Sequence, residues 1–233
     1  RAGGPPPLLV FPKAPGRAAR SPPRAVLRAL DMITIIKLRD LVTDLSRKGM
    51  AQVFADWQTL VGVDARSSAE AIRLADGAAE IDHLVPSPRL IVEAQVQRSG
   101  EDLGPIHFVL PNRLVVEIIS GVLMIAESTR DARAAESLGG NDVATFSEMA
   151  MLLCRSWNRV FRDLDRDLRI SLSSEDLAIR SNITETSVLS DVVEPGRLAY
   201  VPLEVEMNGR AFKALFTVPF DVAIEIAREF YGV

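Results

Sequence analysis

The sequence predicts an α+β fold in which one unit, helix, strand, hairpin and helix, occurs twice. Its two copies form a pseudo-twofold tandem repeat with a mostly antiparallel sheet covered by long helices. Three observations carry this expectation. VLPNRLVVEII (Val109 to Ile119) and TVPFDVAIEIA (Thr217 to Ala227) share one cadence: a strand end, a proline, two variable residues, an aliphatic run, then Glu-Ile. The registers also agree at separate places. Val53-Phe54 and Val160-Phe161 are 107 residues apart, as are Ala71-Ile72-Arg73 and Ala178-Ile179-Arg180, while Pro111 and Pro219, and Glu117-Ile118 and Glu225-Ile226, are 108 apart. Finally, each half places residues alternating at the two-residue strand period between stretches at helical spacing.

In the first half, Leu38, Leu41, Val42, Leu45, Met50, Val53, Phe54 and Trp57 mark an amphipathic helix, and Val61 to Ala65 reads as a short strand. Val92, Ala94 and Val96 alternate with Glu93, Gln95 and Gln97; a polar loop, Ser99 to Gly104, then leads into a strand from Ile106 to Leu110. Pro111 ends that strand, and Asn112 is placed to cap a helix from Arg113 to Ile125. In the second half, Thr145-Phe-Ser-Glu148 has capping-box spacing, with Asn141 and Asp142 as alternative caps. Phe146, Met149, Ala150, Leu153, Trp157, Val160, Phe161 and Leu164 then trace a long helix ending near Asp165. Leu168 to Leu172 reads as a strand and Ser181 to Pro195 as irregular. Val201 to Met207 and Ala211 to Val218 are joined by Asn208-Gly209, a pair suited to a hairpin because both residues tolerate positive φ. Pro219 stops the second strand and Asp221 can cap a helix from Val222 to Tyr231. The strands before the hairpins align at a spacing of 109, which a hairpin one residue shorter in the second copy explains.

The predicted organisation is an arm or non-native extension over 1–31, repeat one over 32–125, a connector over 126–141 and repeat two over 142–233. Residues 1–30 hold six Lys/Arg and no acid, leaving 21 basic against 31 acidic residues in the remainder. Seven of the fourteen prolines lie before Arg24, so helix and paired strand are both disfavoured there. An acidic body argues against nucleic acid as the main partner. No apolar run approaches the ~20 residues a membrane helix needs, so no membrane insertion is expected. One cysteine, Cys154, excludes an internal disulfide and favours a cytoplasmic setting. With His83, His107 and Cys154 as the only imidazole and thiol groups, no zinc site is expected, and no cofactor fingerprint is present. Cys154 reads as an inert buried thiol, His107 as a packed histidine and His83 as a surface residue. Asn158 reads as solvent-facing, and Asp163, Asp165 and Asp167 as a solvated helix end rather than a calcium loop.

The repeat, the strand–proline–helix ending and GGNDVATFSEMAMLL together resemble the CheC/CheX/FliY chemotaxis phosphatases and the middle domain of the flagellar switch protein FliM. The resemblance covers Thr34 to Tyr231 and implies one CheC/FliM-like domain. Phosphatases of that family carry Glu-x-x-Asn on the long helix. The acid contacts a response regulator and the amide positions the water that attacks its aspartyl phosphate. The matching positions here are Glu148 and Met151 in the second half and Asp44 and Arg47 in the first. Each copy keeps an acid and neither keeps the amide. A thioether cannot orient water as an amide does, and a guanidinium only donates. The resemblance therefore implies a non-catalytic binding or scaffold protein of chemotaxis or flagellar-switch type. It would dock a response-regulator receiver domain or a motor component, and a homodimer through edge pairing is a further implied assembly. The alternative is a phospho-aspartate phosphatase with a non-standard active site.

Overall fold

The computed structural model describes residues 32–62, 64–164, 169–183, 189–191, 193 and 195–231, so the arm read in 1–31 lies outside it. The chain runs α1 (Met32–Val61), β1 (Ala65–Ala69), β2 (Arg73–Ala75), β3 (Arg89–Arg98), β4 (Glu101–Pro111), α2 (Asn112–Leu123) and α3 (Glu127–Ala135). It continues with α4 (Gly140–Leu164), β5 (Ile170–Leu172), β6 (Ala178–Ile183), β7 (Leu198–Met207), β8 (Arg210–Pro219) and α5 (Phe220–Tyr231). The strands form one sheet in the order β1-β7-β8-β4-β3-β5, with β2 also beside β7 and β6 also beside β3. Every pairing among the described residues is antiparallel.

At the sheet centre β4 meets β8, with Phe108 opposite Phe216, His107 opposite Thr217 and Val109 opposite Leu215. Strand alternation sends Leu90, Val92, Ala94 and Val96 of β3 and Ile106, Phe108 and Leu110 of β4 to one face. Val201, Leu203 and Val205 of β7 and Phe216 and Val218 of β8 join them. The apolar stripes of α1, α2, α4 and α5 pack on that face and complete the main core. Ile91, Val109, Leu198 and Leu215 point the other way, into a smaller cluster under Ala78, Ile81, Val85, Leu189 and Val193. An antiparallel sheet can leave one face wet; here a thin irregular cover dries part of it.

Several boundaries differ from the sequence reading, each for a local reason. The first helix runs through to Val61, and Gly62 (φ +66) donates its N–H to the Gln58 carbonyl at 2.9 Å, a left-handed stop only glycine adopts cheaply. The strand expected at Val61 to Ala65 therefore lies at Ala65–Ala69 instead. Ser99 and Gly100, both at positive φ, make a two-residue turn where a six-residue loop was expected. The second hairpin turns on Asn208 and Gly209 in the same way. The extra residue of the first half is thus not in the hairpin loop. The register shifts after Val96, which pairs with Gly104 while Gln97 pairs with Asp102, leaving Leu103 as a bulge within β4.

The expected cap at Asn112 is absent. Pro111 occupies that position without a side-chain bond, while the Asn112 side chain donates to the Glu136 carbonyl at 3.5 Å. Part of the connector is helical, as α3. The capping-box residues Thr145 and Glu148 lie inside α4, which starts at Gly140; Asp142 instead accepts from the Gly139 N–H at 3.2 Å. Residues 181–183, read as irregular, belong to β6, and Leu189–Asp191 forms a single 3-10 turn. Asp165 and Leu168 lie outside the described residues.

Candidate docking face of the long helices

α1 and α4 lie antiparallel on the main face of the sheet. The Trp57 indole donates to the Met149 carbonyl at 3.1 Å, and Gly49, two turns earlier, lies against Trp157, two turns later. Asp56 ties the pair together, accepting from Gln52 (2.9 Å), the Ser156 hydroxyl (2.5 Å) and Arg159 (3.3 Å). Glu148 and Met151 therefore sit at the α4 end nearest Trp57, and Asp44 and Arg47 at the opposite end of the pair. The structure keeps each acid beside its predicted neighbour and does not bring the two pairs together.

In the first pair, Asp44 contacts Lys48 at 2.7 Å and Arg47 at 4.0 Å, all on exposed side chains. Arg39, Asp40, Thr43, Asp44 and Arg47 line a shallow depression against Ala69 and Ala71. Thr43 accepts the Ile72 N–H at 3.1 Å and fixes that wall. In the second pair, Glu148 is exposed and Met151 is 38% exposed. Neither acid has an amide one turn away. The two ends differ in chemistry: one is an ionic cluster, the other a lone carboxylate beside a thioether.

Asn158 does not face solvent freely. Its side-chain amide donates to the Leu172 carbonyl at 2.9 Å and its oxygen accepts the Leu172 N–H at 2.6 Å, so both ends hold β5. The two bonds fix the amide against the β5 backbone, away from both acids. Cys154 is buried with its Sγ 3.7 Å from the Ser173 carbonyl, and burial pushes the thiol up to about 12. At pH 8 that leaves roughly one thiol in ten thousand ionised. Iodoacetamide is expected to leave the folded protein unmodified at pH 8 and to alkylate Cys154 fully in urea; mass spectrometry reads both, and labelling of the native state would refute the buried placement.

His107 is buried, with Nε2 3.5 Å from the Glu93 carboxylate; burial lowers its pKa against the pull of Glu93. His83 is exposed in a 3-10 turn. Among the described residues no three His, Cys, Asp or Glu side chains converge on a metal-sized site, and Asp165 and Asp167 lie outside those residues. Among the described residues no helix is long and apolar enough to cross a membrane.

The groups that sequence reasoning missed are buried charges. Glu117 is 1% exposed and accepts from Arg130 (2.7 Å), Arg210 (2.9 Å) and Asn208 (3.2 Å). Its counterpart in the shared cadence, Glu225, accepts from Arg98 at 3.2 Å and Arg228 at 2.6 Å. Each last-helix glutamate thus binds an arginine flanking the hairpin turn of the other half. The repeated Glu-Ile was visible in sequence, but the partners, 93 and 127 residues away, were not.

No family model and no curated protein matches the chain. Among solved structures the chain is similar to Thermotoga maritima FliY, with a TM-score of 0.67, 16% identity, and 84% of this chain and 96% of that chain covered. It is similar also to the FliM middle domain from H. pylori, with a TM-score of 0.63, 11% identity and coverage of 83% and 98%. A chain of the FliG-FliM complex from H. pylori matches with a TM-score of 0.61, 9% identity and coverage of 84% and 99%. At such identities the likeness is one of fold. The chain has the fold of FliY and of the FliM middle domain, the α+β class the sequence predicted.

Proposed function

We propose that this chain is a non-catalytic docking or scaffold protein of chemotaxis or flagellar-switch type. It engages a receiver domain or a motor component through the exposed face of α1 and α4. The observation that carries the reading is the missing amide. Asp44 is neighboured by Arg47 and Lys48, Glu148 by Met151, and Asn158 is committed to β5. The amide of the family's pair both donates and accepts, whereas a thioether is only a weak acceptor and a guanidinium only donates. The solved FliG-FliM and FliM-SpeE complexes from H. pylori support a protein partner for this fold.

In the same reading, 32–125 and 142–233 are two copies of one unit, joined by 126–141 and working in the cytoplasm. The sheet order, which places β7 and β3 symmetrically about β8 and β4, supports the duplication, as does the Phe108–Phe216 pair 108 residues apart. A homodimer belongs to this reading too, supported by β1, which among the described residues pairs with β7 alone.

The test mixes the protein with a receiver domain labelled on its aspartyl phosphate. The expected result is an unchanged rate of label loss together with a complex that light scattering detects, weakened several-fold by Glu148→Ala or Asp44→Ala. Faster label loss that disappears in Glu148→Ala would establish the phosphatase alternative instead.

A further inference from the structure

We propose that α3 is an ionic strap, held to the body by charge rather than by apolar packing, which detaches as a unit while the sheet and long helices stay folded. This inference is independent of the docking reading. Of the nine residues of α3, Ala134 alone is buried. A helix of that length is marginal in water unless its apolar face is packed. What holds α3 is a run of charged contacts. Arg130 binds Glu117 of α2 at 2.7 Å and the Ile125 carbonyl at 3.3 Å, and Asp131 binds Arg210 of β8. Arg133 grips both carboxylate oxygens of Asp142 in α4, at 2.5 and 3.3 Å. Glu117 and Asp142 are buried, at 1% and 3% exposure, while Arg133 and Asp131 reach solvent.

Opening such an interface differs from opening a hydrophobic one. Water regains the carboxylates and guanidiniums that part, so desolvation energy is returned as contact energy is lost. An apolar interface recovers nothing of the kind. The body also keeps partners for its two carboxylates: Glu117 retains Arg210 and Asn208, and Asp142 retains the Gly139 N–H. The hydrogen bond from Arg210 holds the Asp131 carboxyl below its ordinary range, so that contact stays charged under mildly acidic conditions.

Both ends of the strap are breaks in the helical path. Met124 takes a left-handed conformation (φ 51) with its side chain 90% exposed, and Gly139-Gly140 stand at the other end, with no neighbour crowding a Cβ at Gly140. The buried Ile125 and Leu138 anchor the two attachment points. Ionic strength is the input this construction reads, because screening weakens partly exposed pairs first.

Hydrogen exchange with mass spectrometry on the full chain tests this directly. Raising KCl from about 0.01 to about 1 M shortens the Debye length from about 30 to about 3 Å. Amides of 130–136 are expected to exchange at least ~10-fold faster in high salt, with β4 and β8 unchanged. Asp131→Asn, a change on an exposed side chain, is expected to accelerate the same segment in low salt without affecting the sheet. Exchange of 130–136 in step with β4 and β8 would overturn the proposal. So would indifference of that segment to both salt and substitution.

Discussion

Gly49→Ala is expected to destabilise the protein by about 1–3 kcal/mol, against the ordinary helix trend. In an exposed helix interior the same change stabilises by roughly 0.8–1 kcal/mol, because alanine loses less backbone entropy than glycine. Here the sign reverses because of what lies above the glycine. A Cβ at Gly49 would stand 2.4 Å from Trp157 Cε2 and 2.8 Å from Cδ2 and Nε1. The indole has only a small apolar void beside it, lined also by Phe161 and Phe216. It is wedged against Phe108 at 5.4 Å, Phe216 at 5.0 Å and Phe161 at 6.0 Å between ring centroids. Relief must come from moving α1 away from α4, which strains the Trp57 hydrogen bond to Met149 and the Asp56 bonds to Ser156 and Arg159. For a chain of this size the loss corresponds to a fall in melting temperature of about 2–12 °C. Urea unfolding measures it, and a double-mutant cycle with Trp157→Leu identifies the cause. Once the indole is gone, Gly49→Ala is expected to cost little, a coupling of ~1–3 kcal/mol. A Gly49→Ala protein as stable as its parent would remove the close crossing of the two helices, and with it the geometry assigned to their outer face.

How legible this was in the sequence depends on the range of the interactions involved. The stripes Leu38 to Trp57 and Phe146 to Leu164 announced both long helices, because a helix facing a core repeats its apolar residues every three or four positions. The alternation in β3 and β7 announced the strands flanking the sheet centre for the corresponding two-residue reason. The turn at Asn208-Gly209 was readable because its chemistry is carried by two adjacent residues. Ser99-Gly100 was not, since serine rarely accepts φ 53 and the surrounding polar residues resembled a longer loop. The bulge at Leu103 escaped because one extra residue in a strand and one in a loop shift a register equally.

The candidate site was readable as four positions and no further. Arg47, Glu148 and Met151 are exposed and Asp44 is half-buried, but their separation follows from the antiparallel packing of α1 on α4, a tertiary fact. Asn158 shows the limit most clearly. Its place on the helix allowed a solvent-facing side chain, and only the return of β5 beneath it discloses that both amide atoms are taken. Gly49 likewise reads as a weak point in a helix until Trp157 is placed over it.

Asp82→Ala is expected to be the most damaging single change on the far side of the sheet, at about 3–5 kcal/mol, the usual cost of stripping a buried ion of its partner. Arg89 is 1% exposed, and its guanidinium is held by the Asp82 carboxylate, the Asp82 carbonyl and the Val85 carbonyl, the last at 3.1 Å. Its Nε has no partner among the described residues. The same Asp82 oxygen accepts the Leu189 N–H at 2.7 Å, joining two cover segments 107 residues apart to the edge of β3. Alanine leaves a buried cation facing carbonyls and frees Leu189 as well. Arg89→Met is expected to cost less than Asp82→Ala, because Asp82 is 23% exposed and regains water when the arginine goes. Combining the two is expected to cost less than their sum, since the stranded charge is gone. Chemical denaturation orders the three variants, and limited proteolysis locates the effect, with new cuts expected between Ala78 and Val85 before any in β4 or β8. Equal costs for Asp82→Ala and Arg89→Met would mean that the guanidinium is hydrated in solution and the cover is held by its apolar residues alone.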